Sequence, residues 1–411
     1  MNKNNCSFKY KFLLYRLFLI SAIISISWLY ACKKDEPTDI DPDPQEQEPQ
    51  DVFTNGSAVK YWDNGDHNNR INMVFIGDGF SQADQQKWKN HVDDMLESMF
   101  SSSLGEPFGR YINFFNVYRI DMISKRSGLD PINRNTPLRG ERDCKDWRAG
   151  DCQTDWERTH DAIDYYMKEL NNPEINLRMV ALNTNQHMGG AHYPARGWLN
   201  IYATGHQRTV NIFLHETGHI AGFLADEYVT DHNATYTGPE PAQANVTTIL
   251  DPLKWEHWVG FDQPYTITGS PTIGTFEGAH YVGKGIYRAS EECMMGTYTN
   301  PFCAVCREKL ILDFYREVRP IDEVTVSMPE ITVDLIDPEL FHITWFVNET
   351  EVAASTLTLD MSTLDIPDGN HNVRIKVTDK ILDYSNTGEY YDWVRKNKDL
   401  LQQEINKQVT L

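Results

Sequence analysis

His215, Glu216 and His219 stand in the stretch NIFLHETGHIAGFLADEY (Asn211–Tyr228) at a spacing that can do metal chemistry. Residues four apart on a helix share one face, so two imidazoles at i and i+4 can grip one zinc ion. Glu216, next to the first histidine, can reach a water on that ion, remove its proton and pass it to a leaving amine. Neutral imidazoles hold zinc without discharging it, and the open fourth position takes a water whose pKa falls towards about 7. The plain alternative is a helix carrying two surface histidines. The preceding Ile212-Phe213-Leu214 argues against it, because it embeds the helix in a core where an unpaired glutamate is costly.

A third ligand has to come from a chain that turns back. Two more turns of unbroken helix past His219 would carry residue 226 about 10 Å further along the axis, out of reach of the ion. A left-handed turn at Gly222 is expected to end the helix and return the chain to the metal. Asp226-Glu227 then offers the carboxylate, with Asp226 preferred over Glu227. An acidic pair that merely caps the helix is the competing reading, although the helix dipole disfavours acids at a C-terminus.

The full pattern, His215-Glu216-x-x-His219-x-x-Gly222-x-x-x-Asp226-Glu227-Tyr228, resembles the signature of the IgA-peptidase family of metzincin-like zinc endopeptidases. The slot where the commonest metzincin pattern has a third histidine holds Ala225. The resemblance implies a methionine-bearing turn beneath the zinc, and Glu292-Cys293-Met294-Met295-Gly296 is the candidate, with Met295 as that methionine. Met73–Ser81, Pro107–Arg119 and Ser124–Gly128 are similar to other parts of that family's domain, which would span roughly 57–320. By the same resemblance, His187-Met188-Gly189-Gly190 is the backbone edge with which a substrate strand pairs. His187 and His192 are expected to be loop residues and not ligands.

These residues need a scaffold. Ile71–Ile76, Phe114–Ile123, Met179–Leu182 and Trp198–Tyr202 read as strands. Helices are expected from Ser81, three before Asp84, to about Ser101, over Trp156–Leu170, about Arg208–Leu224 and Cys303–Val318. The alternation points to an α/β (α+β) metzincin-like zinc-protease domain over 57–320, with the loop-rich 228–292 shaping its pocket wall. Past Arg319-Pro320, short alternating runs at His342–Val347, Ser355–Asp360 and Asn372–Thr378 predict a small C-terminal all-β, immunoglobulin-like module over 321–411. Trp345 is its core candidate, and a helical tail runs over Tyr390–Lys407.

The chain of 411 residues carries 38 Lys+Arg against 59 Asp+Glu, a formal charge of −21 that repels nucleic acid. A basic start followed by the uncharged Leu17–Tyr30 is the pattern of a secretory signal over 1–31. Leu29-Tyr30-Ala31-Cys32 resembles a bacterial lipobox, which implies lipidation of Cys32 and a place outside the cytoplasm, at the outer membrane or cell surface. Residues 32–56 form an acidic, proline-rich tether. Of the other cysteines, Cys144 and Cys152 flank a short loop and can pair. Cys293, Cys303 and Cys306 are an odd set. Three zinc thiolates lack an evident fourth ligand, so a bridge from Cys293 to Cys303 or Cys306 is the expectation.

Two function classes follow. One is an exported, lipid-anchored, monomeric zinc endopeptidase acting on extracellular proteins or glycoproteins and touching the membrane only through its anchor. The other is a surface glycan- or protein-binding lipoprotein with a structural metal. Glu216 discriminates, since a structural site has no use for it. Hydrolysis of a non-peptide amide or ester is a weaker third reading.

Overall fold

A computed structural model describes residues 53–129, 136–140, 155–192, 196–383 and 392–411. The expected signal, the Cys32 anchor, the tether up to residue 52 and the Cys144–Cys152 pair lie outside these residues. Among the described residues no helix is long and apolar enough to cross a membrane.

Strands β1 (Gly56–Trp62), β2 (Ile71–Asp78), β3 (Phe115–Met122), β4 (Leu177–Leu182), β5 (Gly189–His192) and β6 (Leu199–Ala203) form one sheet. Its order is β1-β3-β2-β4-β6-β5. The four inner strands run parallel, whereas β1 and β5 close the two edges antiparallel. All eight residues of β2 are buried, as expected of a central parallel strand with both faces covered. Its side chains alternate between two separate cores. Met73 and Phe75 join the cluster containing helix α1 (Gln85–Phe100), and Val74 and Ile76 join the one containing α2 (Trp156–Met167). The approach to α1 is fixed by the capping box foreseen at Ser81, whose backbone N–H and hydroxyl both donate to Asp84.

Helix α3 (Thr209–Gly222) carries the histidine motif and packs on the first of these cores. Asn200 of β6 ties it down, its Nδ2 donating to Phe213 O at 3.0 Å and to Thr217 Oγ1 at 3.1 Å. The following insert forms a second small sheet from β7 (Val229–Thr235), β8 (Val246–Thr247), β9 (Phe276–Ala279) and β10 (Tyr281–Arg288). A one-turn helix α4 (Met294–Thr297) and a longer α5 (Ala304–Glu317) then return the chain to the main core.

Beyond α5 lie two antiparallel sheets. Strands β11 (Ile321–Ser327), β12 (Glu330–Leu335) and β15 (Thr358–Asp360) make one, and β13 (Phe341–Val347), β14 (Thr350–Ala354), β16 (Asn370–Asp379) and β17 (Gln402–Thr410) the other. Trp345 is fully buried, and its indole N–H donates to Thr356 O at 2.8 Å. The tail departs from expectation. Residues 402–410 are a strand paired with nine of the ten residues of β16, and Lys398–Leu401 make a short 3-10 turn. The open edge of β16 offers nine residues of pairing, which outweighs the weak helical preference of a polar segment.

This module shares its core with the N-terminal part. Asp379, fully buried at the end of β16, accepts from Arg110 at 2.6 Å, Tyr111 Oη at 2.8 Å and Tyr315 Oη at 2.5 Å. Arg70 meets Asp322 of β11 in a bidentate pair at 2.7 and 2.6 Å.

Candidate active site

Helix α3 presents Glu216 and His219 to a cleft of about 480 Å³ lined by residues including Gly190, Trp198, Phe223, Asp226 and Tyr281, and His215 is buried beside them. Both imidazoles are oriented from behind. His215 Nδ1 lies 3.0 Å from Met294 O, and His219 Nδ1 lies 2.6 Å from Leu224 O. A carbonyl oxygen only accepts, so each Nδ1 holds the proton and donates, leaving each Nε2 as a lone pair. Those two Nε2 atoms stand 3.2 Å apart. Asp226 Oδ1 completes a triangle at 2.9 Å from His215 Nε2 and 3.3 Å from His219 Nε2.

The edges of this triangle match the donor separation of about 3.3 Å on one face of a tetrahedral zinc site. Three converging lone-pair donors repel one another unless a cation sits among them, so the donor set fits a zinc ion. With protons as the only cations, burial depresses His219, but Asp226 outweighs it and raises the imidazole to about 9. Burial likewise opposes charge on Asp226, and the two histidines still hold its carboxyl well below the usual range.

Asp226 is further fixed by Tyr281 of β10, whose hydroxyl donates to Oδ2. Glu216 is buried, with an oxygen 4.0 Å from His219 Nε2. Burial raises its pKa against the pull of the two imidazoles, while the backbone N–H of Ala191 on β5 hydrogen-bonds it. Ring stacking completes the surround: Tyr298 lies 4.2 Å from His215, centroid to centroid.

Residues 59–268 and 265–314 match the family described as IgA Peptidase M64. The chain belongs to that family. No curated protein matches the sequence. Membership of IgA Peptidase M64 supports a peptidase, and the buried ligand groups suit a metallopeptidase.

Within this M64 domain, helix α3 stops two residues short of the expected Leu224, and its left-handed turn falls one residue later than expected. Gly222 is the last helical residue, and Phe223 takes the left-handed conformation at φ 48°. That strained turn is held because the Phe223 N–H donates to Gly218 O and the returning Leu224 carbonyl meets His219. Met295 lies under the helix, against Gly218. Gly189 of edge strand β5 also permits a close approach, since a Cβ there would stand 2.3 Å from Ile212 Cγ2. His187 packs against His206, and His192 stacks on Trp156, so neither joins the donor triangle.

Sequence reasoning missed Tyr281, Tyr298 and Gly218. Nothing in the spacing reveals the two tyrosines, because the chain brings them back from 55 and more residues away, Tyr281 on the insert and Tyr298 just after helix α4. Gly218 lies inside the motif, and its neighbourhood emerges only from packing. The expected bridge among Cys293, Cys303 and Cys306 is absent: all three are free and buried. Cys293 and Cys306 sulfurs are 3.7 Å apart, far beyond the roughly 2.05 Å of a disulfide. Glu227, the alternative third ligand, faces these thiols and not the histidines.

Proposed function

We propose that this chain is an exported, lipid-anchored zinc endopeptidase, with a metzincin-like catalytic domain followed by an immunoglobulin-like module. One observation carries the reading. The Nε2 atoms of His215 and His219 and Oδ1 of Asp226 converge at 3.2, 2.9 and 3.3 Å beside the buried Glu216. His215, His219 and Asp226 would hold the ion. A zinc ion held there supplies a Lewis acid that activates water and polarises a carbonyl oxygen.

The chain's own groups do the rest. Glu216 takes the proton from the attacking water and returns it to the leaving amine. Its raised pKa suits both halves of that shuttle, because a carboxyl closer to neutrality releases a proton as readily as it takes one. Ala191 holds its orientation from the edge strand. Strand β5, being the open edge of the sheet, offers backbone groups to an extended peptide laid along the cleft. Gly189 and Gly190 keep that edge clear of side chains. Trp198 and Phe223, 6.2 Å apart between ring centroids, form an apolar wall for a substrate side chain.

The Leu29–Cys32 lipobox and the tether behind it support attachment at the cell surface, and hence extracellular proteins or glycoproteins as substrates. Metal analysis combined with casein hydrolysis, before and after chelation and after zinc is restored, tests the reading. Activity should vanish with the chelated ion and return with zinc. Chelator-resistant hydrolysis would refute it.

A further inference from the structure

Behind the histidine site lies a second cluster of potential ligands. Glu227, Cys293, Cys303 and Cys306 each offer one ligand atom, and all four atoms lie within 4.8 Å of one another. All four residues are buried. We propose that this cluster is a second metal site, binding a structural zinc ion through three thiolates and the Glu227 carboxylate.

Distances favour it. A zinc tetrahedron with Zn–S near 2.3 Å sets neighbouring sulfurs about 3.8 Å apart, and with Zn–O near 2.0 Å sets sulfur and oxygen about 3.5 Å apart. Cys293 Sγ and Cys306 Sγ are 3.7 Å apart, and Cys306 Sγ lies 3.4 Å from Glu227 Oε1. A disulfide would require the sulfurs to close to about 2.05 Å.

The surroundings supply a second and independent argument. Glu227 is 1% exposed, and its Oε2 is buried without any hydrogen bond. Oε1 accepts from Asn245 Nδ2 at 2.8 Å, which orients the carboxylate as an outer partner of a metal ligand would. A buried carboxylate with only one of its oxygens paired is costly as an anion unless a neighbouring cation neutralises it. Two further features suit thiolates. The Cys303 N–H donates to Cys293 Sγ at 3.3 Å, and Cys303 and Cys306 stand at the N-terminus of α5, where the helix dipole favours negative charge. Three soft sulfurs in a closed, dry pocket select zinc over calcium or magnesium.

The position gives the ion a purpose. Its ligands come from the residue after Asp226, the residue before Met294-Met295, and the start of α5. The Glu227 N–H donates to Met295 O at 2.8 Å, and Met294 O is the acceptor for His215. The ion would therefore staple together the segments that hold His215 and Asp226 in place.

The inference stands independently of the histidine site, and metal counting separates the two. The full chain should carry two zinc ions, and the His215→Ala/His219→Ala variant one, with a zinc-edge X-ray absorption spectrum dominated by sulfur at about 2.3 Å. Cys303→Ser/Cys306→Ser should lose the sulfur-bound ion alone. If either variant fails to fold, the spectrum of the unaltered chain should still show a sulfur shell averaging three thiolates over two ions. One zinc per chain in both the unaltered protein and the histidine variant would support the thiolate site and refute the histidine one. A spectrum without zinc–sulfur scattering, or peptide mapping of unreduced protein that links Cys293 to Cys303 or Cys306, would overturn the proposal.

Discussion

Gly218 lies directly over Met295: a Cβ on that glycine would stand 2.6 Å from the methionine sulfur and 2.7 Å from Cε1 of Phe302. The residue before the second histidine is thus fixed by what passes beneath the helix. Gly218→Ala should cost about 1–3 kcal/mol of stability by overpacking. It should also lower kcat more than it raises KM, because the added methyl displaces His219 or the turn that orients His215. Paired denaturation and steady-state measurements check both.

Asp226 and Glu227 are adjacent but serve different clusters, so their amides should behave differently. Asp226→Asn removes the charge that faces both histidines and should weaken zinc binding at the histidine site by at least about tenfold. Glu227→Gln should leave that zinc in place. Competition with a chelator of known affinity distinguishes the two, and equal losses would contradict the assignment of Asp226.

Stability should fall in mild acid. His91 is buried between Trp88 and Tyr202, and burial lowers its pKa from 6.5 to about 4. Between those values the unfolded chain binds the proton and the folded chain does not. Stability therefore drops as pH falls from about 6.5 to about 4 and levels below that, by at most about 3 kcal/mol for this residue. His91→Gln should flatten the profile without abolishing it, because burial also lowers His160 and His192 to about 4. Urea unfolding across this pH range is the measurement.

Asp379 joins the C-terminal module to the N-terminal part through Arg110, Tyr111 and Tyr315. Asp379→Asn leaves a buried guanidinium without its counter-charge and should cost about 3–5 kcal/mol. Thermal unfolding should remain a single transition at lower temperature, since the core is continuous across the two parts.

The chemistry-bearing helix was legible because its apolar residues and two histidines share a 3.6-residue period, and β2 because it is a continuous apolar run. That the chain turns back after the helix was legible from helix geometry, and Asp226 does reach the two histidines, although the left-handed residue proved to be Phe223. Tyr281 and Tyr298 were not legible, since no local period connects the helix to segments that return to it from so far along the chain. Nor was the fourth partner of the three cysteines. Glu227 sits in the acidic pair already allotted to the histidines, and only the non-helical course of that segment turns consecutive side chains apart. The strand over 402–410 was misread because its pattern is set by pairing with β16 and not by its own weak periodicity.

The most direct test of the central claim is Glu216→Gln, which keeps size and hydrogen bonding but cannot carry a proton. The variant should retain zinc at the histidine site and lose casein hydrolysis by at least about a hundredfold. Hydrolysis at the unaltered rate with zinc retained would contradict the account.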